Sequence, residues 1–267
     1  MNQETLIQSF DGTRLYLKTN VPSAPKAIAV VVHGLCEHQG RYDYITQKLN
    51  DRNFGVYRFD HRGHGKSEGT PIFYNDFNEM IDDVDVVVEL AKRENPTLPV
   101  FLIGHSMGGF AVTTYGMKYP NKVRGIVASG AVTRLNKPFP VPPGLPVDTY
   151  FPNELGDGVC SDPAVVEAYK KDPLVGKQIS AGLFYSLFAG VDWNKQNSSK
   201  FVEPVLLLHG CHDGLVSEKD SRDLFGDMSS EDKTLKIYAF LYHEIFNEPS
   251  KDEDIEEVLL WLEKKVE

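Results

Sequence analysis

Apolar residues along this chain gather in short unbroken runs, separated by longer stretches with helical spacing. Ala27–Val32 (AIAVVV) is continuously apolar, the pattern of a strand buried on both faces of a parallel sheet. Residues 55–59, 100–103, 125–128, 205–208 and 235–240 repeat it. Between them, residues 42–52, 77–93, 109–119 and 218–228 show helical spacing, and a last helix is predicted over 254–265. Ahead of them all, residues 6–10 and 14–18 alternate around Asp11-Gly12 and predict a hairpin. This makes eight strands. Strands alternating with helices predict β-α-β crossovers, hence an α/β fold with a mostly parallel sheet covered on both faces.

One stretch breaks the alternation. Residues 131–201 carry no buried-strand pattern; they begin Pro-rich and then suggest short helices over 164–171 and 178–190. A structureless loop of that length is improbable in a compact domain. The segment is therefore expected to be an inserted cap after strand six, within a single domain spanning 1–267.

Composition narrows the field of partners. The balance of 41% hydrophobic and 25% charged residues is that of an ordinary globular protein. A net charge of −10 without any Lys/Arg-rich run disfavours nucleic acid and anionic headgroups. No apolar stretch reaches the length of a spanning helix, and residues 1–5 show no signal-peptide pattern. Three cysteines without a CxxC pair (Cys36, Cys160 and Cys211) suit a reduced, cytoplasmic protein.

The chemistry is signalled most strongly at Gly104-His105-Ser106-Met107-Gly108-Gly109, where G-x-S-x-G stands between a buried strand and a helix. A nucleophilic serine must project from a tight, strained turn, and the flanking glycines let helix and strand approach closely. Ser106 needs a base held in one tautomer. His243 follows the last strand and Asp213 the one before it, both at C-terminal strand ends where open α/β sheets bind ligands. Asp220, on the helix after Asp213, is a rival acid; the turn position favours Asp213. The order Ser, Asp, His agrees with this architecture.

Eight histidines, especially His61-x-x-His64 and His209-x-x-His212-Asp213, raise a metal reading, but a zinc site needs three or four convergent ligands. Asp60-x-Arg62-Gly-x-Gly lacks the spacing of a phosphate loop. Neither metal nor cofactor is expected. Cys36 and Cys211 read as small buried filler or as thiols near the pocket.

These motifs resemble the monoacylglycerol lipase and lysophospholipase branch of the α/β-hydrolases, also filed with S33-type aminopeptidases. The likeness runs from His33-Gly34-Leu35-Cys36-Glu37-His38 with Arg41-Tyr42, through Asp60-His61-Arg62-Gly63-His64-Gly65-Lys66-Ser67, to His209-Gly210 and Tyr242-His243-Glu244. It implies an oxyanion hole built from the backbone N–H groups of Leu35 and Met107, and histidines at positions 33, 61, 64 and 209 that shape loops. It also implies a serine hydrolase of carboxylic esters, with monoacylglycerols or related lipid esters as substrate.

The segment is weakest in likeness at the insert, where the apolar run 179–190 with Tyr150 suggests an acyl tunnel lined by Phe184, Phe188 and Tyr150. A transient contact with a lipid interface fits this lip, while stable insertion does not. An aryl-ester (feruloyl-type) esterase or an S33-type aminopeptidase would use the same triad; for the latter, Glu154, Asp157 and Glu167 could hold an N-terminal amine. A non-catalytic binding protein is disfavoured by the intact triad.

Overall fold

The computed structural model describes residues 2–156 and 158–266. The opening hairpin joins β1 (Asn2–Gln8) to β2 (Arg14–Asn20) in antiparallel register. Its loop closes where the Ser9 amide donates to the Thr13 carbonyl at 2.8 Å, with Gly12 at φ 90°. β1 therefore ends two residues before Phe10, whose ring lies under the Arg62 guanidinium instead.

The chain continues through β3 (Ala27–Val32), α1 (Asp43–Asp51), β4 (Phe54–Phe59), α2 (Phe77–Glu94), β5 (Val100–His105), α3 (Met107–Lys118) and β6 (Gly125–Ser129). The insert follows with β7 (Tyr150–Pro152), α4 (Pro163–Lys171), β8 (Gln178–Ser180) and α5 (Ala181–Asn197). The chain then returns to the sheet as β9 (Val205–Gly210), α6 (Lys219–Asp227), β10 (Lys233–Tyr238) and α7 (Lys251–Val266).

The eight-stranded sheet runs β1-β2-β4-β3-β5-β6-β9-β10, antiparallel at β1/β2 and β2/β4 and parallel elsewhere. Every residue of β3, β4, β5, β6 and β9 is buried, and the period-2 alternation of side chains explains why. Ile28, Val30 and Val32 face α2 and α3, packing with Met80, Val84 and Phe110. Ala27, Ala29 and Val31 face α1 and α7, packing with Leu49, Val258 and Leu262. Both faces are apolar because both are core. No helix of the described residues is long and apolar enough to cross a membrane.

In the insert, the helix expected over 178–190 proves shorter at its start and longer at its end. Gln178–Ser180 pair with β7 as a two-stranded ribbon. Ser180 then caps α5, its hydroxyl accepting from the Leu183 amide at 3.0 Å. A serine before an apolar helical run is a start signal, and it displaces the helix by one turn.

Candidate active site

At the end of β5 the chain turns sharply into α3 through Ser106, held at φ 56° and ψ −117°. A non-glycine residue in such a conformation costs about 1–3 kcal/mol and persists only where its surroundings dictate it. Here they do. The Ser106 amide donates to the Ser129 carbonyl at 2.8 Å. A Cβ on Gly104 would overlap the Gly108 carbonyl, and one on Gly108 would overlap the Val32 carbonyl. Helix α3 can thus press against β3 and β5 only because both positions are glycine. Ser106 is the N-cap of α3, so Met107 stands at the helix start, where amide N–H groups lack i−4 partners.

His243 is buried in the loop after β10, and its Nδ1 lies 2.6 Å from Asp213 Oδ2. Asp213 is fixed in turn: Oδ1 accepts from the Leu215 and Val216 amides, each at 2.8 Å, and Oδ2 lies 3.0 Å from His209 Nε2. His209 is oriented by Ser221 Oγ, 2.8 Å from its Nδ1. Burial alone would raise the Asp213 pKa, but the adjacent imidazoles and these hydrogen bonds hold it well below the usual carboxylate range. Burial would likewise lower the His243 pKa, yet the Asp213 charge and hydrogen bond outweigh it and the net direction is upward. The His105 ring lies 4.6 Å from that of His243 and is kept neutral, its pKa pushed down to about 3 by burial and by the His243 charge.

Asp220, the rival acid, is committed elsewhere. Buried at the start of α6, it accepts from the amides of Thr133, Arg134, Leu135 and Asn136 at 2.9–3.0 Å. It pins the first residues of the insert to the core rather than facing His243.

Ser106, His243, Leu35 and Met107 line one small cavity of about 30 Å³. A second, apolar cavity of about 340 Å³ shares Phe139, Leu155 and Leu215 with it. Phe184 lines this outer cavity. Phe188 stands behind it, its ring 6.1 Å from Phe184 and 6.5 Å from Phe139. Tyr150 donates to the Pro71 carbonyl at 2.8 Å and lines neither cavity. Of the acidic residues considered for an amine, Glu154 borders the outer cavity and Glu167 pairs with Lys171 in solvent, 2.8 Å apart. Asp157 lies outside the described residues. The histidines at 33, 61 and 64 form a buried cluster of touching rings beneath the first HG loop.

One group escaped the sequence reading. Arg41 forks onto Glu244 with two bonds of 2.7 and 2.8 Å, and its Nη1 also reaches Glu37 at 2.7 Å. Glu37 accepts from the Gly34 amide and the Tyr42 hydroxyl. This network joins the Leu35 loop to the His243 loop. Its members stood in the quoted motifs, but a pairing across 203 residues carries no local signal.

Comparisons with known proteins place the chain in a family. A sequence model of the family described as serine aminopeptidase, S33, matches residues 23–250. The chain is 37% identical over 266 residues to a monoacylglycerol lipase of Mycolicibacterium smegmatis, covering 94% of this chain and 93% of that protein. It is 32% identical to the monoglyceride lipase of Homo sapiens, covering 96% and 88%. The crystal structure of the Paleococcus ferrophilus monoacylglycerol lipase superposes with a TM-score of 0.83 at 32% identity, covering 94% and 99%. The chain belongs to the serine aminopeptidase S33 family of α/β-hydrolases.

Proposed function

We propose that this protein hydrolyses monoacylglycerols or closely related lipid esters through an acyl-enzyme on Ser106. Asp213 engages His243 Nδ1, which leaves Nε2 as the basic nitrogen in the cavity that Ser106 also lines. Nε2 takes the Ser106 proton as Oγ attacks the ester carbonyl. The oxyanion that forms is met by the N–H groups of Leu35 and Met107, one such donor being worth about 10²–10³ in rate. His243 then gives its proton to the departing alcohol. Water, deprotonated by the same nitrogen, cleaves the acyl-enzyme and restores Ser106.

The observation that carries the lipid reading is the apolar cavity adjoining the inner site, the two sharing Phe139, Leu155 and Leu215 in their walls. The insert is in this reading a cap whose apolar wall receives the acyl chain, each buried CH₂ contributing about 0.8 kcal/mol. The names borne by the curated relatives point to the same substrate class. The three cysteines are free thiols, which supports a reducing, cytoplasmic setting.

The test is a substrate panel of p-nitrophenyl esters from acetyl to long chain, a monoacylglycerol and an aminoacyl anilide. The expected result is a kcat/KM that rises about fourfold per CH₂ up to medium length and then levels. A flat profile, or turnover of the anilide alone, would refute the lipid reading.

A further inference from the structure

We propose that α4 and its two flanks form a bridge that sets the oxyanion loop against the base loop, with Asp172 and Glu248 as positioning residues for the reaction. The inference rests on the reading of Ser106, His243 and Leu35 given above.

The helix itself buries only Tyr169 among its nine residues, so packing alone gives it little reason to sit where it does. Its flanks supply the reason. On the N-terminal side, the Val159 carbonyl accepts from the Glu244 amide at 2.7 Å, directly after His243. The Ser161 amide and hydroxyl both donate to Glu248, a carboxylate with no exposed surface. The Tyr242 amide, directly before His243, also donates to Glu248 at 3.1 Å. Glu248 thus ties the insert to the chain segment that presents the base.

On the C-terminal side, the Gly176 amide donates to the Cys36 carbonyl at 2.7 Å. Cys36 is a non-glycine residue at φ 65°, a conformation that must be held from outside. His38 Nδ1 accepts from the Gly40 amide, so Nε2 bears the proton and donates to Asp172 Oδ2 at 2.8 Å. The Leu35 amide is therefore bracketed. Glu37 holds Gly34 before it, and the insert holds Cys36 and His38 after it. Between the flanks, Tyr169 lies under the Arg41 guanidinium, 5.0 Å from its ring centroid, over the Glu37-Arg41-Glu244 network that joins the same two loops.

A bridge of this kind acts on the transition state rather than on binding. Displacing an oxyanion donor or the base by a fraction of an ångström lowers kcat and leaves the acyl wall untouched.

The experiment compares the full-length wild type with Asp172→Ala, Glu248→Gln and Ser161→Ala. Each is assayed on p-nitrophenyl acetate and decanoate, with a thermal melt and the inhibition constant of an alkyl boronic acid. Asp172→Ala and Glu248→Gln are expected to lower kcat about tenfold on both esters with KM within about twofold. The boronate should weaken by the same factor. Asp172→Asn keeps an acceptor for His38 and should recover most of the loss, while Glu167→Ala, exposed on the same helix, should change nothing. Ser161→Ala removes one hydroxyl and should give a smaller loss of the same kind if a larger change unfolds the protein. Folded variants with undiminished kcat, or with a loss confined to KM, would overturn the bridge. Fluorophosphonate labelling of wild-type Ser106 separates the two failures. An unlabelled wild type rejects the triad reading, and a labelled wild type with unaffected variants rejects only the bridge.

Discussion

The central strands and the insert after β6 are built on different terms. In β3, β5, β6 and β9 every side chain is buried, and each strand serves two cores at once. In the insert, residues 142–144 and 146–148 are exposed, and its two strands have three residues each and pair only with one another. The sheet cannot shift one strand without opening both cores. The insert is held by polar ties, Asp220 at its start and Glu248 and Asp172 about α4, and by the buried face of α5, whose Leu183, Leu187 and Val191 join the core. The difference teaches where each half of the reaction is decided. Ser106, Asp213 and His243 leave the ends of fully or partly buried strands, so their geometry is inherited from the core. In the proposed reading, access and chain length belong to the apolar wall about Phe184, and the insert reaches kcat only through the α4 bridge.

The largest effect that could break this division lies in the triad. Ser106→Ala should remove acyl-enzyme formation, and Asp213→Asn should lower kcat by about 10⁴ through loss of the correct imidazole tautomer. Asp220→Asn should leave the kcat of the folded enzyme near wild type and instead lower its Tm, because several amides of the insert's first turn lose a charged acceptor. Steady-state kinetics beside thermal melts distinguish the two acids. If Asp220→Asn abolished turnover in a folded protein, the assignment of the acid would be wrong.

A pH profile sharpens the same point. His243 must be neutral to act as base, and its pKa is raised above the ordinary 6.5. The acid limb of kcat/KM should therefore lie above pH 6.5, and Asp213→Asn should move the residual limb to lower pH. Stability has its own pH dependence, set by the core. His61 and His64 are pushed down to about 3 and about 4, chiefly by burial. The unfolded chain takes up protons at these positions near pH 6.5, while the folded chain does not. Stability should thus fall as pH drops from about 6.5 toward 4, by about 1.4 kcal/mol per pH unit for each histidine. Urea melts across that range check the slope; a flat response would show that the cluster protonates while folded.

The remaining predictions concern the insert and are smaller. A charge at Phe184, in the outer wall, should penalise decanoyl esters several-fold more than acetyl. The same charge at Phe188, one layer behind, should discriminate less. Equal proportional losses at every chain length would mean the wall does not meet the acyl chain. A bulky maleimide should react with exposed Cys211 and spare Cys36, which is buried and whose thiol is held protonated by that burial. Mass spectrometry reads the sites, and only a modest loss of activity is expected.

How far the molecule was legible in its sequence follows the same division. The central strands β3, β4, β5, β6 and β9 announce themselves because burial on both faces leaves a nearly unbroken apolar run, the opening hairpin because its residues alternate around Asp11-Gly12, and the elbow because strand, glycine, serine and helix are neighbours in the chain. The ribbon of β7 and β8 did not. Three residues per strand give no period to read, and Gln178–Ser180 looked like the first turn of α5. Tyr150 was expected in the pocket wall on its apolar character alone, yet its hydroxyl is drawn to the Pro71 carbonyl. Arg41 and Glu244 could be seen as letters of a motif but not as partners, since their pairing exists only once β3 and β10 have been placed in one sheet.

The measurement that tests the central claim most directly is the mass of the adduct formed when the wild-type protein and its His243→Ala variant are treated with a fluorophosphonate. The account predicts a single adduct on the peptide bearing Ser106 in the wild type, formed with full loss of esterase activity, and a greatly slowed adduct in the variant. An adduct on another residue, or labelling of Ser106 at an equal rate without His243, would contradict it.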